Sequence, residues 1–333
     1  MKFGLYLSTQ WPEGADISHE LDNMIEQVRI ARENGFSSVW MGQHYLVAPM
    51  QMMQVMPLMA RLAAEGEDMT FGTAVVLLSM LNPAVVAEES ATLDWITNGN
   101  FVLGVGMGYR DEEFQTLGVP KNQRVGRLEE GIEVVRRLWT EDIVVHNGKH
   151  YTVDGLGSSI KPKQPGGPPI WLGGQVPAAV ARAARLGDAW MAAPTDSIDR
   201  VARCVDIFRE ARVEAGLPMP ESMPITRECC IRNTRPEALD ACRKTLLEKY
   251  KAYASWGAAG SGDKGRKFAD AFDDFMADRF IVGDEAEAAD EFLRYREELG
   301  INTFILRMSW IGLEQREMLK TIEHVGRVAA RIS

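Results

Sequence analysis

Three glycines alternate with larger residues along one apolar stretch of the 333-residue chain, at Gly104, Gly106 and Gly108. The stretch begins with Phe101–Val105, which has the composition of a short buried strand. Because glycine has no Cβ, a flat ring could lie against the backbone at the carboxyl end of this strand. A bulge or tight turn without a ligand would explain the same glycines. The spacing is not that of a dinucleotide-binding fingerprint, and no acidic residue follows at the distance that this fingerprint requires.

His44 is a second residue whose type and place could do chemistry. It follows a predicted strand, Ser37–Met41, while the other four histidines fall on predicted helices or in a hairpin. A neutral imidazole at a strand end could hydrogen-bond a ring carbonyl, or act as a general acid or base near neutral pH. The competing interpretation is a structural histidine.

Gly173 and Gly174, just before Pro177, form a candidate cradle for a phosphate. Glycines permit close approach, proline suits the first helical turn, and the free amides and the helix dipole attract an anion. A simple strand-to-helix turn explains these residues equally well. Arg110 could be a second phosphate partner, or it could pair with one of the three acidic residues that follow it.

Apolar strands and amphipathic helices alternate along the chain and would position these residues. Strands are predicted at residues 3–7, 37–41, 70–78, 101–105, 170–172, 187–191, 223–232 and 303–307. Eight strand–helix pairs predict an α/β fold, a closed (β/α)8 TIM barrel, whose site lies at the carboxyl ends of the strands. The alternative, a doubly wound open sheet, would need a phosphate loop after the first strand, and residues 8–14 do not supply one.

The chain is expected to form one domain over residues 1–333, with two additions to the barrel rim. Asn147-Gly148 is the strongest hairpin signal in the sequence and predicts an inserted hairpin over about residues 141–165. Residues 254–268 are rich in glycine and charge. At that place in a barrel the segment could be a mobile loop over the site, although an ordinary surface loop is the simpler interpretation.

Composition narrows the range of functions. The net charge of −10 argues against nucleic acid and anionic membrane as partners, and no apolar run is long enough to span a membrane. Four cysteines without any metal-binding spacing favour a reduced, cytoplasmic protein and predict no metal site. No nucleophile motif is visible either. Glycine-lined walls, one histidine and an anion cradle therefore suggest a bound cofactor that carries the chemistry.

Several longer motifs are jointly specific: GQHY at 42–45, FGTAVVLLSMLNP at 71–83, FVLGVGMGYRDEEFQTLG at 101–118, GKHY at 148–151 and PKQPGGPPIWLGG at 162–174. With them the chain resembles the bacterial-luciferase-like flavin-dependent monooxygenases and oxidoreductases, a family that includes deazaflavin-dependent relatives. The resemblance is specific from Phe3 to about Trp190 and looser towards the C-terminus. It implies a (β/α)8 barrel with reduced flavin across the strand ends and its phosphate at the loop after the fifth strand.

The resemblance also implies roles for individual residues. His44 matches the active-site histidine, and Ala74-Val75 matches a place where these enzymes often carry a cis peptide bond. Two positions depart from the family pattern: Gln43 replaces a common acidic residue and would orient His44 as a neutral amide, and Met107 replaces a phosphate-binding arginine of the luciferases proper. Contacts with the cofactor are expected from Gln43, Ala74, Val75, Gly106, Met107, Tyr109, Arg110, Gly173, Gly174 and Gln175.

The first hypothesis for function is a monooxygenase that uses reduced FMN, supplied by a separate reductase, and O2 on a small to medium organic substrate, with His44 as catalytic residue. A deazaflavin-dependent dehydrogenase or reductase, in which His44 would polarise or deprotonate a substrate hydroxyl, is the alternative within the fold. A non-catalytic flavin-binding barrel is the alternative of another class, and a homo-oligomer is expected. Apolar, adaptable side chains suit a substrate cavity, which is expected to involve Trp11, Tyr45, Met52, Met53 and Trp256.

Overall fold

Strands and helices alternate in the computed structural model, which describes residues 1–255 and 272–332. The strands, in chain order, are β1 (Lys2–Tyr6), β2 (Gln10–Trp11), β3 (Ser38–Met41), β4 (Gln51–Met52), β5 (Thr70–Thr73), β6 (Phe101–Val105), β7 (Val144–Asn147), β8 (Thr152–Leu156), β9 (Ile170–Gly173), β10 (Ala189–Met191), β11 (Pro224–Ile231), β12 (Ile281–Gly283) and β13 (Thr303–Arg307). The helices are α1 (Ile17–Glu33), α2 (Val55–Gly66), α3 (Pro83–Ile96), α4 (Asp111–Thr116), α5 (Arg124–Thr140), α6 (Pro177–Leu186), α7 (Ile198–Glu214), α8 (Arg235–Ser255), α9 (Phe272–Ala277), α10 (Glu285–Leu299) and α11 (Gln315–Ile332).

Parallel strands form the barrel that the sequence predicts. Their order around the barrel is β1-β3-β5-β6-β9-β10-β11-β13, and β13 pairs with β1. Outward-facing side chains such as Phe3, Leu5 and Phe304 pack against the helices in one large apolar core. Because helices cover the outer face and side chains fill the interior, the strands are nearly continuous apolar runs. The prediction of a (β/α)8 barrel is therefore confirmed.

The seam between β10 and β11 is the thinnest part of the barrel wall. Among the described residues, one bridge, between Ala192 and Ile225, joins the two strands. Arg227, which is fully buried, adds side-chain donors across the same seam, to Ala193 O at 2.9 Å and to Asp196 O at 3.0 Å. Backbone and guanidinium together close the sheet into a cylinder.

Two tryptophans fill the barrel interior below the carboxyl ends of the strands. The rings of Trp40 and Trp171 stack with centroids 4.8 Å apart, in a cluster that also contains Val102 and Ile305. Gly72 makes room for them, because a Cβ there would lie 2.1 Å from the Trp40 ring. This packed layer is the floor of any site at the strand ends.

The third barrel strand is shorter than the sequence predicts. The apolar run continues from residue 70 to residue 78, but β5 ends at Thr73, and a 3-10 turn follows at Leu78–Met80. The run is misleading because the apolar residues after Thr73 lie in a loop, half-buried at Ala74 and Val75 and buried from Val76 onward, rather than in a full ladder. In that loop, Val76 N donates to Gly104 O at 2.8 Å.

Smaller elements lie around the rim. β2 pairs antiparallel with β4, β7 pairs antiparallel with β8 in the region of the predicted hairpin, and β12 pairs with the last residues of β11. The loop expected over residues 254–268 begins later than predicted, because α8 continues to Ser255, and residues 256–268 lie outside the described residues. Within the described ranges, no helix combines the length and the apolar character that crossing a membrane requires.

Candidate active site

Small residues from three neighbouring strands meet at the carboxyl ends of β5, β6 and β9. A Cβ on Gly106 would lie 2.7 Å from Val75 Cγ2, and one on Gly173 would lie 3.5 Å from Val75 Cγ1. The Ala74–Val75 peptide bond is cis, as the resemblance implies. We call Ala74, Val75, Gly106 and Gly173 the small-residue wall. Three sequence stretches predicted to line one site therefore lie together.

His44 lies at the edge of this wall, just after β3, and a carboxylate holds its ring. Its Nδ1 is 3.0 Å from Oε1 of Glu113, a side chain that is fully buried in the first turn of α4. The same oxygen accepts the backbone N–H of Tyr45 at 2.8 Å. The ring centroids of His44 and Tyr109 are 5.6 Å apart. A carboxylate at Nδ1 favours the tautomer with the proton there, which leaves Nε2, to which the described residues make no hydrogen bond, for a reacting molecule.

Glu113 is a candidate site residue that the sequence analysis missed, and Gln43 does not take the expected place beside the imidazole. The Gln43 amide donates to Tyr45 Oη at 2.8 Å and accepts from Leu77 N at 3.1 Å. The backbone N–H of Gln43 donates to Val75 O at 3.3 Å. Gln43 therefore ties the loop that carries His44 to the small-residue wall, whereas the orientation of the ring comes from a carboxylate.

Arg110 packs against the same carboxylate. Its Nη1 is 3.7 Å from Glu113 Oε1 and donates to Tyr45 O at 3.1 Å, and its Nε is 4.0 Å from Glu112. Of the two roles that the sequence leaves open for Arg110, the structure shows the pairing with acidic neighbours. Its contact with a phosphate stays a prediction.

The candidate phosphate cradle is a well-held loop between β9 and α6. Trp190 Nε1 donates to Gly174 O at 2.8 Å. The Gln175 amide donates to Thr195 Oγ1 at 2.8 Å and to Asp196 Oδ1 at 3.2 Å, so this side chain is bound by the loop after β10. Burial raises the pKa of Asp196, although nearby arginines oppose the shift. Pro177 begins α6, as predicted.

Across the barrel mouth from the small-residue wall lies a set of polar side chains that we call the polar wall: Tyr6, Glu228, Lys249, Arg307 and Trp310. Tyr6, Arg307 and Glu228 are neighbours in register on β1, β13 and β11. Glu228 is fully buried and accepts from Lys249 Nζ at 2.6 Å and from Trp310 Nε1. The Arg307 guanidinium carbon lies 4.7 Å from the centroid of the Tyr6 ring.

Charges in the polar wall shift one another's titration. Burial opposes ionisation of Glu228, but Lys249 and Arg307 outweigh it and hold the pKa of this carboxyl below its ordinary value. Burial, and then the charge of Arg307, lowers the pKa of Lys249 to about 7, although Glu228 acts in the opposite direction. The mouth thus contains a lysine that titrates near neutral pH. The sequence analysis did not identify this group.

Four of the five residues expected to line a substrate cavity lie in the described part of the chain, and they differ in burial. Tyr45 is half-buried beside an apolar cluster, and burial, aided by Glu89 and Glu113, raises its pKa. Trp11 is only 7% exposed and belongs to the main core, and Met53 packs against that core. Trp256 lies outside the described residues. For Met52, the sulfur accepts from the Gln10 amide at 3.5 Å.

Comparison with known proteins gives a consistent result. Residues 1–303 match the model of a family described as luciferase-like monooxygenase. The chain is 28% identical over 184 residues to the oxygenase component of flavin-dependent trigonelline monooxygenase from Acinetobacter baylyi, and the match covers 53% of this chain and 50% of that protein. It is 31% identical over 180 residues to F420-dependent glucose-6-phosphate dehydrogenase from Amycolatopsis mediterranei. That match covers 51% of this chain and 52% of the dehydrogenase.

These matches show that the chain spans about half the length of the two curated relatives. Among solved structures, its fold is similar to that of monooxygenase RslO1 from Streptomyces bottropensis, with a TM-score of 0.87 over 99% of both chains at 23% identity.

Proposed function

Since this chain belongs to the luciferase-like monooxygenase family, we propose that it is a monooxygenase that uses reduced FMN and O2 to oxygenate a small to medium organic molecule. The observation that carries the proposal is that the loop bearing His44, whose ring Glu113 holds, is bonded to the small-residue wall, since Gln43 N donates to Val75 O at 3.3 Å. One relative is named as the oxygenase component of a monooxygenase, which supports a separate flavin reductase as a transient partner.

The small-residue wall fits the flat ring of a flavin. Because Gly106 has no Cβ, the Val75 side chain can lie against its backbone. No side chain at position 106 projects from the wall. Gly173 and Gly174 lead from this wall to the start of α6, where the amide of Ala178 and the helix dipole suit a phosphate, while Ala179 N and Val180 N donate to Val176 O. A bound reduced flavin would supply the electrons that the activation of O2 requires.

His44 is the residue that we propose to hold or move a proton during the reaction. Glu113 fixes Nδ1 and stabilises the ring when it is protonated, so that Nε2 can exchange a proton with the reacting molecule. The packed layer of Trp40 and Trp171 excludes water from below.

A deazaflavin-dependent dehydrogenase is the second candidate, and the same pair of residues supports it. An imidazole backed by a buried carboxylate is suited to taking the proton of a substrate hydroxyl, and an oxidised deazaflavin, when bound, would accept the hydride from the carbon that bears this hydroxyl. The similarity to an F420-dependent dehydrogenase, at 31% identity, points in the same direction.

Anaerobic titration separates the candidates. The protein is titrated with reduced FMN and, separately, with reduced F420, and air is then admitted while oxygen consumption is followed. We expect reduced FMN to bind more tightly and to react with O2 at a rate that differs from that of free reduced FMN. Tight binding of F420 alone, without oxygen consumption, would favour the dehydrogenase. Binding of neither cofactor would contradict both proposals.

A further inference from the structure

The rim hairpin formed by β7 and β8 is anchored on α5 by one carboxylate. Glu130 Oε1 accepts the backbone N–H groups of Tyr151 at 2.7 Å and of His150 at 3.0 Å, and it lies 3.2 Å from His146 Nε2. Burial opposes ionisation of Glu130, but these donors keep its pKa below the ordinary value. The carboxylate therefore fixes the position of Tyr151 relative to α5.

Tyr151 in turn contacts the loop that follows β5. Its hydroxyl donates to Leu81 O at 3.3 Å, and the guanidinium carbon of Arg127 lies 4.8 Å from the centroid of its ring. Arg127 is on α5 and donates from Nε to Ser79 O at 2.8 Å. One aromatic ring and one guanidinium thus hold the 3-10 turn at Leu78–Met80 from the outside of the barrel.

Ser79 carries the connection inward to the small-residue wall. It is fully buried, and its hydroxyl donates to Met107 O at 2.6 Å, while its own carbonyl is the acceptor for Arg127. Met107 follows Gly106, whose N–H donates to Val76 O at 2.9 Å in the same loop. A displacement of Ser79 would therefore move the backbone at Met107.

We propose that Tyr151, Arg127 and Ser79 are positioning residues that set the backbone of Met107 beside the cofactor, so that the rim hairpin determines how the flavin is held. This inference rests on the proposed function, because it takes the small-residue wall as the place of the flavin ring. It also gives a role to the GKHY segment, which the proposed function leaves unexplained.

The chain offers a matched control on the same helix. Arg137 also lies on α5 and also binds the hairpin, since it donates to Val145 O at 3.1 Å and pairs with Glu141 at 2.8 Å. Among the described residues, Arg137 makes no hydrogen bond to the loop after β5. Arg127→Met and Arg137→Met therefore each remove a guanidinium that binds the hairpin region, but only the first breaks the connection to Met107.

The experiment measures the dissociation constant of FMN and the visible circular dichroism of the bound flavin in both variants and in Ser79→Ala. We expect Arg127→Met and Ser79→Ala each to weaken binding about tenfold, which corresponds to the loss of about one hydrogen bond, and to alter the spectrum. The double variant should be no weaker than the worse single variant by more than about twofold, because both act through one connection. Arg137→Met should retain the wild-type constant and spectrum.

Amide hydrogen exchange of residues 103–109 in the ligand-free protein provides a readout that does not need flavin. Exchange there should be faster in Arg127→Met than in Arg137→Met. Equal effects of the two arginine variants on binding, spectrum and exchange would overturn the inference. A wild-type protein that binds neither flavin nor deazaflavin would overturn the proposed function and the cofactor part of this inference, and the exchange result would still decide whether the hairpin fixes Met107.

Discussion

A fully buried carboxylate is costly unless it is paired, and Glu113 is paired through one oxygen. Oε1 is shared by the His44 ring and the Tyr45 amide, whereas Oε2 is buried with no hydrogen-bond partner among the described residues. Through its one bonded oxygen, Glu113 therefore holds both the His44 ring and the backbone of Tyr45 in place.

His44→Ala tests the role of the ring in catalysis. Loss of a positioned acid or base should lower turnover about 100-fold or more, while the affinity for flavin stays nearly unchanged because the wall is intact. The measurement is steady-state turnover together with a flavin titration. His324→Ala is a suitable control, since His324 also pairs with a carboxylate, Glu285 at 2.8 Å, but lies on α11. Unchanged turnover in His44→Ala would remove this residue from the mechanism.

Glu113→Gln tests whether the carboxylate acts through the imidazole. The amide keeps the size of the side chain but loses the charge that stabilises a protonated ring, so turnover should fall at least about tenfold and its pH profile should change. Glu112→Gln is the matched control, because Glu112 is the preceding residue and its side chain is 72% exposed. Equal profiles for the two variants would contradict the assignment.

Among the elements, the polar wall joins α8 to β11 and β13. Lys249 lies on α8, Glu228 on β11 and Arg307 on β13, and Tyr250 Oη also donates to Glu228 at 3.1 Å. These hydrogen bonds and ion pairs hold α8 against β11 and β13 at the barrel mouth. The stability of this junction should therefore depend on pH.

Lys249→Met tests that dependence. In the unfolded chain the pKa of a lysine is about 10, whereas in the folded chain the pKa of Lys249 is about 7. The unfolded state then binds more protons, so this lysine makes the free energy of unfolding rise with pH, by up to about 1.4 kcal/mol per pH unit from about 7 upward. Urea unfolding from pH 6 to pH 9 should show a smaller rise in Lys249→Met than in the wild type.

The control for that measurement is Lys251→Met, an exposed lysine on the same helix that pairs with Glu248. It should follow the wild-type curve. If the curve of Lys249→Met also runs parallel to the wild type, Lys249 remains charged throughout this range and the interpretation fails.

Local chemistry made the helix starts and most strands predictable. Asn82 and Asp284 cap α3 and α10 because their side chains accept from the free amides of the first turn. β13 has the predicted bounds, and β6 begins and ends where its apolar run does. The predicted third strand was too long, because an apolar run in the sequence does not distinguish residues in a loop from residues in a sheet.

Site residues that directly follow a strand could be predicted from the sequence. Site residues that only the folded arrangement of separate elements brings together could not. His44 and the glycines at 106, 173 and 174 stand at strand ends, so barrel geometry alone places them together. Glu113 is the last of three consecutive acidic residues, and only the turn of α4 decides that it is buried while the other two are exposed. The polar wall could not be predicted, since its charges come from two strands and one helix that are separated in the sequence.

For the whole molecule, the net charge of −10 means that an anionic cofactor must be held by local features. The loop between β9 and α6 and the first amides of α6 are such features. A barrel supplies them because every strand ends at the same rim, where the following helix begins.

At the seam between β10 and β11, the side chain of Arg227 adds to the short backbone pairing that closes the barrel. Its guanidinium donates to the carbonyl oxygens of Ala193 and Asp196 in the loop after β10. Asp196 also receives the amide of Gln175. Asp196 thus joins Gln175 to Arg227, so the position of the loop between β9 and α6 and the closure of the barrel wall depend on the same residue.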